Sequence, residues 1–285
     1  MTTTVEPRTI HVAHSPDSDD AFMFYALAEG KIPTGDLRYV HELADIETLN
    51  QRASRGELEV SAVSIHAYAY LADRYALLAS GSSMGDGYGP RLVATGPRPA
   101  DPRAALRGKR VAVPGLRTTA YLALRLFQPE VEAVVVPFDR IGAAVLAGEA
   151  EVGLLIHEGQ LTYAEEGFEL WQDLGAWWLE ETSLPLPLGG NVVRRDLGPE
   201  VMGQIAHDLR ASIEYALAHR APALAHASRF NRGISPEETD RFVGMYVNRW
   251  TVDYGPRGRA AVRLLLDRGH AAGVIPARVE VEFVE

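Results

Sequence analysis

The sequence predicts an α/β fold of two lobes facing each other across a central cleft, and three observations carry that prediction. First, the chain repeats itself: HVAHSPDSDDAF at 11–22 lies without a gap on RVAVPGLRTTAY at 110–121, and 45–60 lies on 138–152 with Gly56-Glu57 over Gly148-Glu149. Second, each copy alternates helical patterns with short apolar runs, SAVS at 61–64 and GLLI at 153–156. Runs without polar alternation suit buried parallel strands joined by helices. Third, 285 residues with 47% hydrophobic and 23% charged side chains can bury one large or two ordinary cores, and match neither a disordered nor a fibrous chain. In such sheets ligands bind outside the carboxyl ends of strands, so attention falls on 13–20, 64–66, 114–119 and 157–159.

Taken in order, the first strand runs into the turn SPDSDD at 15–20 and then a helix. Asp17, Asp19 and Asp20 there admit two readings: oxygen ligands for a cation, or a helix cap with acids in the first turn. His14 beside them is either a packing residue at the strand end or a polar group of the cleft. The next helix ends at Gly56 and leads into the strand that finishes at Ser64. GSSMGDGYGP at 81–90 carries four glycines, as a crossover between lobes needs for flexibility or close backbone approach.

In the second copy, PGLRTTA at 114–120 ends a strand and opens a helix. The unpaired amides and positive dipole end of such a helix make an anion site suited to a carboxylate, unless Thr118 or Thr119 simply caps the helix. His157 follows GLLI, so it stands where a buried strand emerges at the cleft, as a functional imidazole or as a structural one. The stretch with Trp177-Trp178 and LPLPLGGN at 184–191 either walls a pocket for an aromatic ligand or packs at the return crossover. Three helical patterns close the chain: 202–220 with Pro222 as its stop, a start at Ser235-Pro236-Glu237-Glu238, and 256–272. They are expected to pack on the first lobe, giving a discontinuous lobe of 1–95 plus 193–285 and a second lobe of 96–192.

Composition and missing motifs exclude several functions. With 38 acidic against 28 basic residues the net charge is -10, contrary to what nucleic-acid binding requires. Cys 0 removes disulfides, thiolate metal sites and a cysteine nucleophile. No GxxxxGK[ST], GxGxxG or HExxH occurs, and GxSxG occurs only as GSSMG at 81–85 within the glycine-rich crossover, not at the strand-to-helix turn of a nucleophile elbow, so no nucleotide cofactor, no metal and no serine nucleophile are expected. The amino-terminal residues show no basic stretch followed by an apolar run, and no later segment approaches a membrane span. A cytoplasmic protein with no membrane partner is expected.

The segments SPDSDDAFMFYAL, DIETLN, YGPRLVA, VAVPGLRTTAYLAL, GLLIHEGQLTY and GAWWLEETSLPLPLG, in order over nearly the whole chain, resemble the 1,4-dihydroxy-6-naphthoate synthase family of the futalosine route to menaquinone. The resemblance implies a fold like type II periplasmic binding proteins. It implies a lyase that converts cyclic dehypoxanthinyl futalosine to 1,4-dihydroxy-6-naphthoate and dihydroxyacetone without a cofactor. By the same resemblance Thr119 and Ala120 meet the carboxylate of a small anionic aromatic substrate, with Thr118 beside them, while Ala62, Val63 and Ser64 line the opposite wall. His157 is then the proton acceptor, with His14 and His66 the next candidates. The chain departs from the family turn SPCPND, having Asp17 and Asp19 where Cys and Asn are expected. Two other functions share the scaffold: the chorismate dehydratase of the same pathway, and a transporter's solute-binding protein. The lack of an export pattern and of an anchor cysteine counts against the last.

Overall fold

The computed structural model describes residues 7–230 and 233–285; residues 1–6 of the amino-terminal stretch discussed above lie outside the described residues. The strands in chain order are β1 (Arg8–His14), β2 (Leu37–Leu43), β3 (Val60–Ser64), β4 (Tyr75–Leu78), β5 (Ser83–Gly85), β6 (Arg91–Ala94), β7 (Arg110–Val113), β8 (Glu132–Val135), β9 (Val152–Leu155), β10 (Glu169–Asp173), β11 (Leu186–Arg194) and β12 (Phe283–Val284). They form two sheets, ordered β12-β4-β11-β3-β1-β2, with β5 also on β11, and β10-β6-β9-β7-β8.

The repeat is visible in the pairing. Strand β1 lies parallel to β2 and β3, with Val12 opposite Val60, as β7 lies parallel to β8 and β9, with Val111 opposite Val152. Each trio also gains an antiparallel neighbour, β11 on β3 and β6 on β9. β3 and β9 are buried throughout, and their sequences, VSAVS and VGLL, carry no charge. Strands β2 and β8 are edge strands with half-exposed residues.

The chain passes between sheets twice, from β5 to β6 and from β10 through the helix Leu174–Thr182 to β11. Close backbone approach, one of the two uses expected of the crossover glycines, holds at Gly85 and Gly89. A Cβ at Gly85 would run into the Tyr88 carbonyl, and one at Gly89 would lie 3.0 Å from Gly175 of the other crossover. The carboxyl-terminal helices cover the first sheet: Ile205, Leu209 and Ile213 share a buried cluster with Ile10, Val12 and Phe22. The helix Gly255–Ala271 reaches further, because Leu265 and Leu266 share a cluster with Leu122 and Leu124 of the second lobe's helix Thr119–Phe127. Pro222 does not act as the stop expected of it. The helix Pro199–Ala218 ends before it, and Pro222 sits in the first turn of Arg220–Ala227, where its missing N–H costs no helical bond. Ser235 and Glu238 form the capping box of Pro236–Tyr246. Among the described residues no helix is long and apolar enough to cross a membrane.

Candidate active site

One cavity lies between the sheets, at the carboxyl ends of β1, β3 and β9. Of the residues singled out from sequence, Ala62, Val63, Ser64, Thr119, Ala120 and His157 line it, together with Asp17, Asp19 and Asp20. Thr118, His14 and His66 do not line it. Ser64 is held by Asn50, whose Oδ1 accepts from the Ser64 amide at 2.9 Å and whose Nδ2 donates to Ser64 Oγ at 3.2 Å. Gly190 and Gly189 of β11 pair with Val63 and Ser64 and extend this wall.

Across the cavity, Thr118 is the N-cap of the helix Thr119–Phe127; its hydroxyl accepts from Tyr121 N at 3.2 Å and donates to Gly115 O at 2.8 Å. The hydroxyl of Thr119 is also committed, donating to Leu188 O at 2.6 Å and accepting from His66 N at 3.1 Å. What this helix end presents to the cavity is therefore backbone. Thr119 and Ala120 are its first two residues, whose N–H groups no helical carbonyl can reach. His66 staples the lobes instead: its Nδ1 lies 3.2 Å from Thr118 O, and burial pushes the imidazole down to about 4.

The aspartate turn is only in part the cap expected: Asp19 and Asp20 stand in the first turn of the helix, but the cap bond is missing. Asp17 holds the N-cap position of the helix Ser18–Met23, yet its side chain makes no cap bond. It is 2% exposed, and its Oδ2 lies 2.9 Å from His157 Nδ1 and accepts from Ser15 Oγ. Asp20 turns back to accept from Ser15 N at 2.7 Å. Burial first, then the charge of Asp17, pushes Asp20 up to about 7, and burial with the charges of Asp20 and Asp17 pushes Asp19 well above the carboxylate range. Among the described residues no group of three His, Asp or Glu is arranged to hold a metal ion. His14 stacks on Phe24 at 4.5 Å and faces Ser15 O and His41, and burial drives it to about 3.

His157 emerges from β9 with a left-handed backbone, φ +58°, unusual for a residue with a side chain. Gln160 supports this bend when its amide is oriented so that Oε1 faces the His157 N–H at 3.2 Å and Nε2 faces Gly89 O at 2.7 Å. The ring meets the edge of Phe138 with centroids 4.9 Å apart. An ionised carboxylate oxygen only accepts, so the imidazole nitrogen facing Asp17 carries a proton, and in the neutral ring Nε2 then bears the lone pair. The imidazole is 18% exposed, so it is open to the cavity while its partner is sealed. Asn50, Gln160 and the pairing of Asp17 were not among the residues singled out above; of these only Asp17 gave a signal, its departure from the family turn. Neither Trp177 nor Trp178 lines this cavity: Trp178 is fully buried with Nε1 donating to Pro185 O at 3.1 Å, and Trp177 packs on Phe127.

A family described as menaquinone biosynthesis matches residues 10–271. The chain is 42% identical over 265 residues to the 1,4-dihydroxy-6-naphthoate synthase of Thermus thermophilus, covering 93% of this chain and 95% of that protein. It is 40% identical over 275 residues to the enzyme of the same name from Streptomyces coelicolor, covering 94% and 95%. A crystal structure of an Archaeoglobus fulgidus protein superposes with a TM-score of 0.87 at 47% identity, covering 94% and 98% of the two chains. The periplasmic aliphatic sulphonate-binding protein of Escherichia coli superposes with a TM-score of 0.66 at 14% identity, covering 96% and 91%, which shows a shared two-lobed periplasmic-binding-protein-like fold and no more. With a family match over most of its length and relatives at 40% identity or more that it covers almost end to end, the chain belongs to the menaquinone biosynthesis family.

Proposed function

We propose that this protein is a carbon–carbon lyase that converts cyclic dehypoxanthinyl futalosine to 1,4-dihydroxy-6-naphthoate and dihydroxyacetone, with His157 as proton acceptor. The observation that carries the reading is the meeting of three elements in one cavity: the imidazole of His157, the helix end at Thr119 and Ala120, and the wall of Ala62, Val63 and Ser64. The helix end suits a carboxylate, because its amides donate and its dipole favours negative charge. His157 then takes a proton from the bound substrate, and a neutral imidazole is a base matched to neutral pH. Cleavage forms an aromatic ring, and that gain drives the bond break. In this reading the substrate is small, anionic and aromatic: the amide pair suits its carboxylate, and the apolar residues of the cavity suit its ring. A cytoplasmic location and independence of any cofactor are part of the same proposal, following from its place in menaquinone biosynthesis and from a carbon–carbon cleavage that takes no external oxidant or reductant.

Incubating the purified protein with cyclic dehypoxanthinyl futalosine and separating the mixture by chromatography tests the reading. Dihydroxynaphthoate and dihydroxyacetone are expected in equal amounts. Unchanged substrate in the presence of folded protein would defeat it.

A further inference from the structure

We propose that Asp17 is the positioning residue of the base: its carboxylate holds the Nδ1 proton of His157, fixing the tautomer and orientation in which Nε2 accepts a proton. The proposal rests on the reading of His157 as proton acceptor. Asp17 stands at a helix N-cap, where an aspartate side chain ordinarily accepts from a helical amide, and it forgoes that bond. Its carboxylate points instead across the cleft, 2.9 Å from Nδ1 of His157, and is all but sealed from solvent. Ser15 Oγ donates to the same oxygen and holds the carboxylate in place. On the other side, the left-handed backbone of His157 and the ring of Phe138 orient the imidazole toward it. Asp17 follows β1 of the first sheet and His157 follows β9 of the second, so the base is assembled from both lobes.

Titratable groups close to this pair include Asp19, which interacts with Asp17, His157 and Glu158, and Asp20, which interacts with Asp17. Burial and repulsion favour the protonated forms of Asp19 and Asp20, whereas Asp17 has a potential cation at ion-pair distance. When Nε2 takes the substrate proton, the imidazolium is balanced by Asp17, which keeps its own charge; no proton passes to it.

The test compares Asp17→Asn, His157→Asn and the double variant in steady-state turnover of cyclic dehypoxanthinyl futalosine across pH. Asp17→Asn should lower kcat by about 10²- to 10⁴-fold, since the amide can present a donor to Nδ1 and favour the wrong tautomer. The acidic limb of its kcat/KM profile should move to lower pH, because a neighbouring negative charge has been removed from the imidazolium. With His157 already Asn, the same change should cost less than about threefold further. A wild-type kcat and limb in Asp17→Asn, or an equal loss in both backgrounds, overturns the proposal while leaving His157 as base. Near-normal turnover of His157→Asn removes the base reading, and this proposal with it. If Asp17→Asn fails to fold, 15N-histidine spectra of the unaltered protein decide: the resonances missing from His157→Asn should show a protonated Nδ1 and a bare Nε2, and the reverse tautomer refutes the assignment.

Discussion

Replacing Ala120 by proline removes one hydrogen from the cavity wall. Ala120 is the second residue of the helix Thr119–Phe127, so its N–H is bonded to no helical carbonyl and its loss leaves the ladder intact. If that amide binds the substrate's carboxylate, one charge-assisted hydrogen bond is lost, worth about 1.5–3 kcal/mol, or about 10- to 150-fold in affinity. The proline ring also intrudes on the cavity, because Ala120 is 4% exposed and lines it. A matched pair of ligands separates the two effects. Titration calorimetry with 1,4-dihydroxy-6-naphthoate and with 1,4-dihydroxynaphthalene, which has no carboxylate, should show the acid losing about 10- to 150-fold more than the diol. Equal losses for the two would show that the turn is structural and that the carboxylate lies elsewhere.

The remaining predictions concern stability. Burial drives His14 to about 3 and His41 to about 4, so over the range from 6.5 down to about 4 the unfolded chain binds protons that the folded one refuses. Their contribution is present in full above 6.5 and is lost as pH falls, by about 1.4 kcal/mol per pH unit for each group. Asp20, raised to about 7, has the opposite sign, because between about 4 and 7 the folded state holds a proton that the unfolded state has released. Urea unfolding at stepped pH should therefore show a steeper acid loss in Asp20→Asn and a flatter one in His41→Gln; the reverse ordering refutes the assigned signs. Gly175→Ala should destabilise by about 1–3 kcal/mol or more, because its Cβ meets the Tyr88 carbonyl, which is backbone. Gly203→Ala, with open space at its Cβ inside the helix Pro199–Ala218, should stabilise by about 0.5–1 kcal/mol. Equal thermal shifts for the two glycines would contradict this account of the crossover.

The parts of the fold legible in the sequence were those whose physics is local. Strands β3 and β9 are buried on both faces, so they read as apolar runs, and the repeat of turn and helix after β1 and β7 placed their ends at one cleft. Strands β2 and β8 were not located: β2, LRYVHEL, carries polar and charged residues through its length, and β8, EAVV, lies at a half-exposed edge outside the matched segments of the repeat. His157 was legible as a candidate from its place after a buried run. Its partner was not, since Asp17 lies in the other lobe and its local sequence, an aspartate opening a helix, points to a cap. Thr118 and Thr119 were legible as a helix start, but the commitment of both hydroxyls to Tyr121, His66 and Leu188 depends on tertiary contacts. Likewise the tryptophan pair read equally as pocket wall or packing, and only the burial of Trp178 decides for packing.

The central claim is that His157 performs proton removal in this cavity, and the most direct measurement is single-turnover conversion of cyclic dehypoxanthinyl futalosine by the wild-type protein and His157→Asn. Asparagine keeps polarity and approximate size but cannot serve as a base. The account predicts a fall of at least about 10²-fold in the rate of the chemical step, with substrate affinity and melting temperature little changed and the imidazole limb absent from the pH profile. Near-normal conversion by a folded His157→Asn protein, or a loss that tracks unfolding alone, would contradict it.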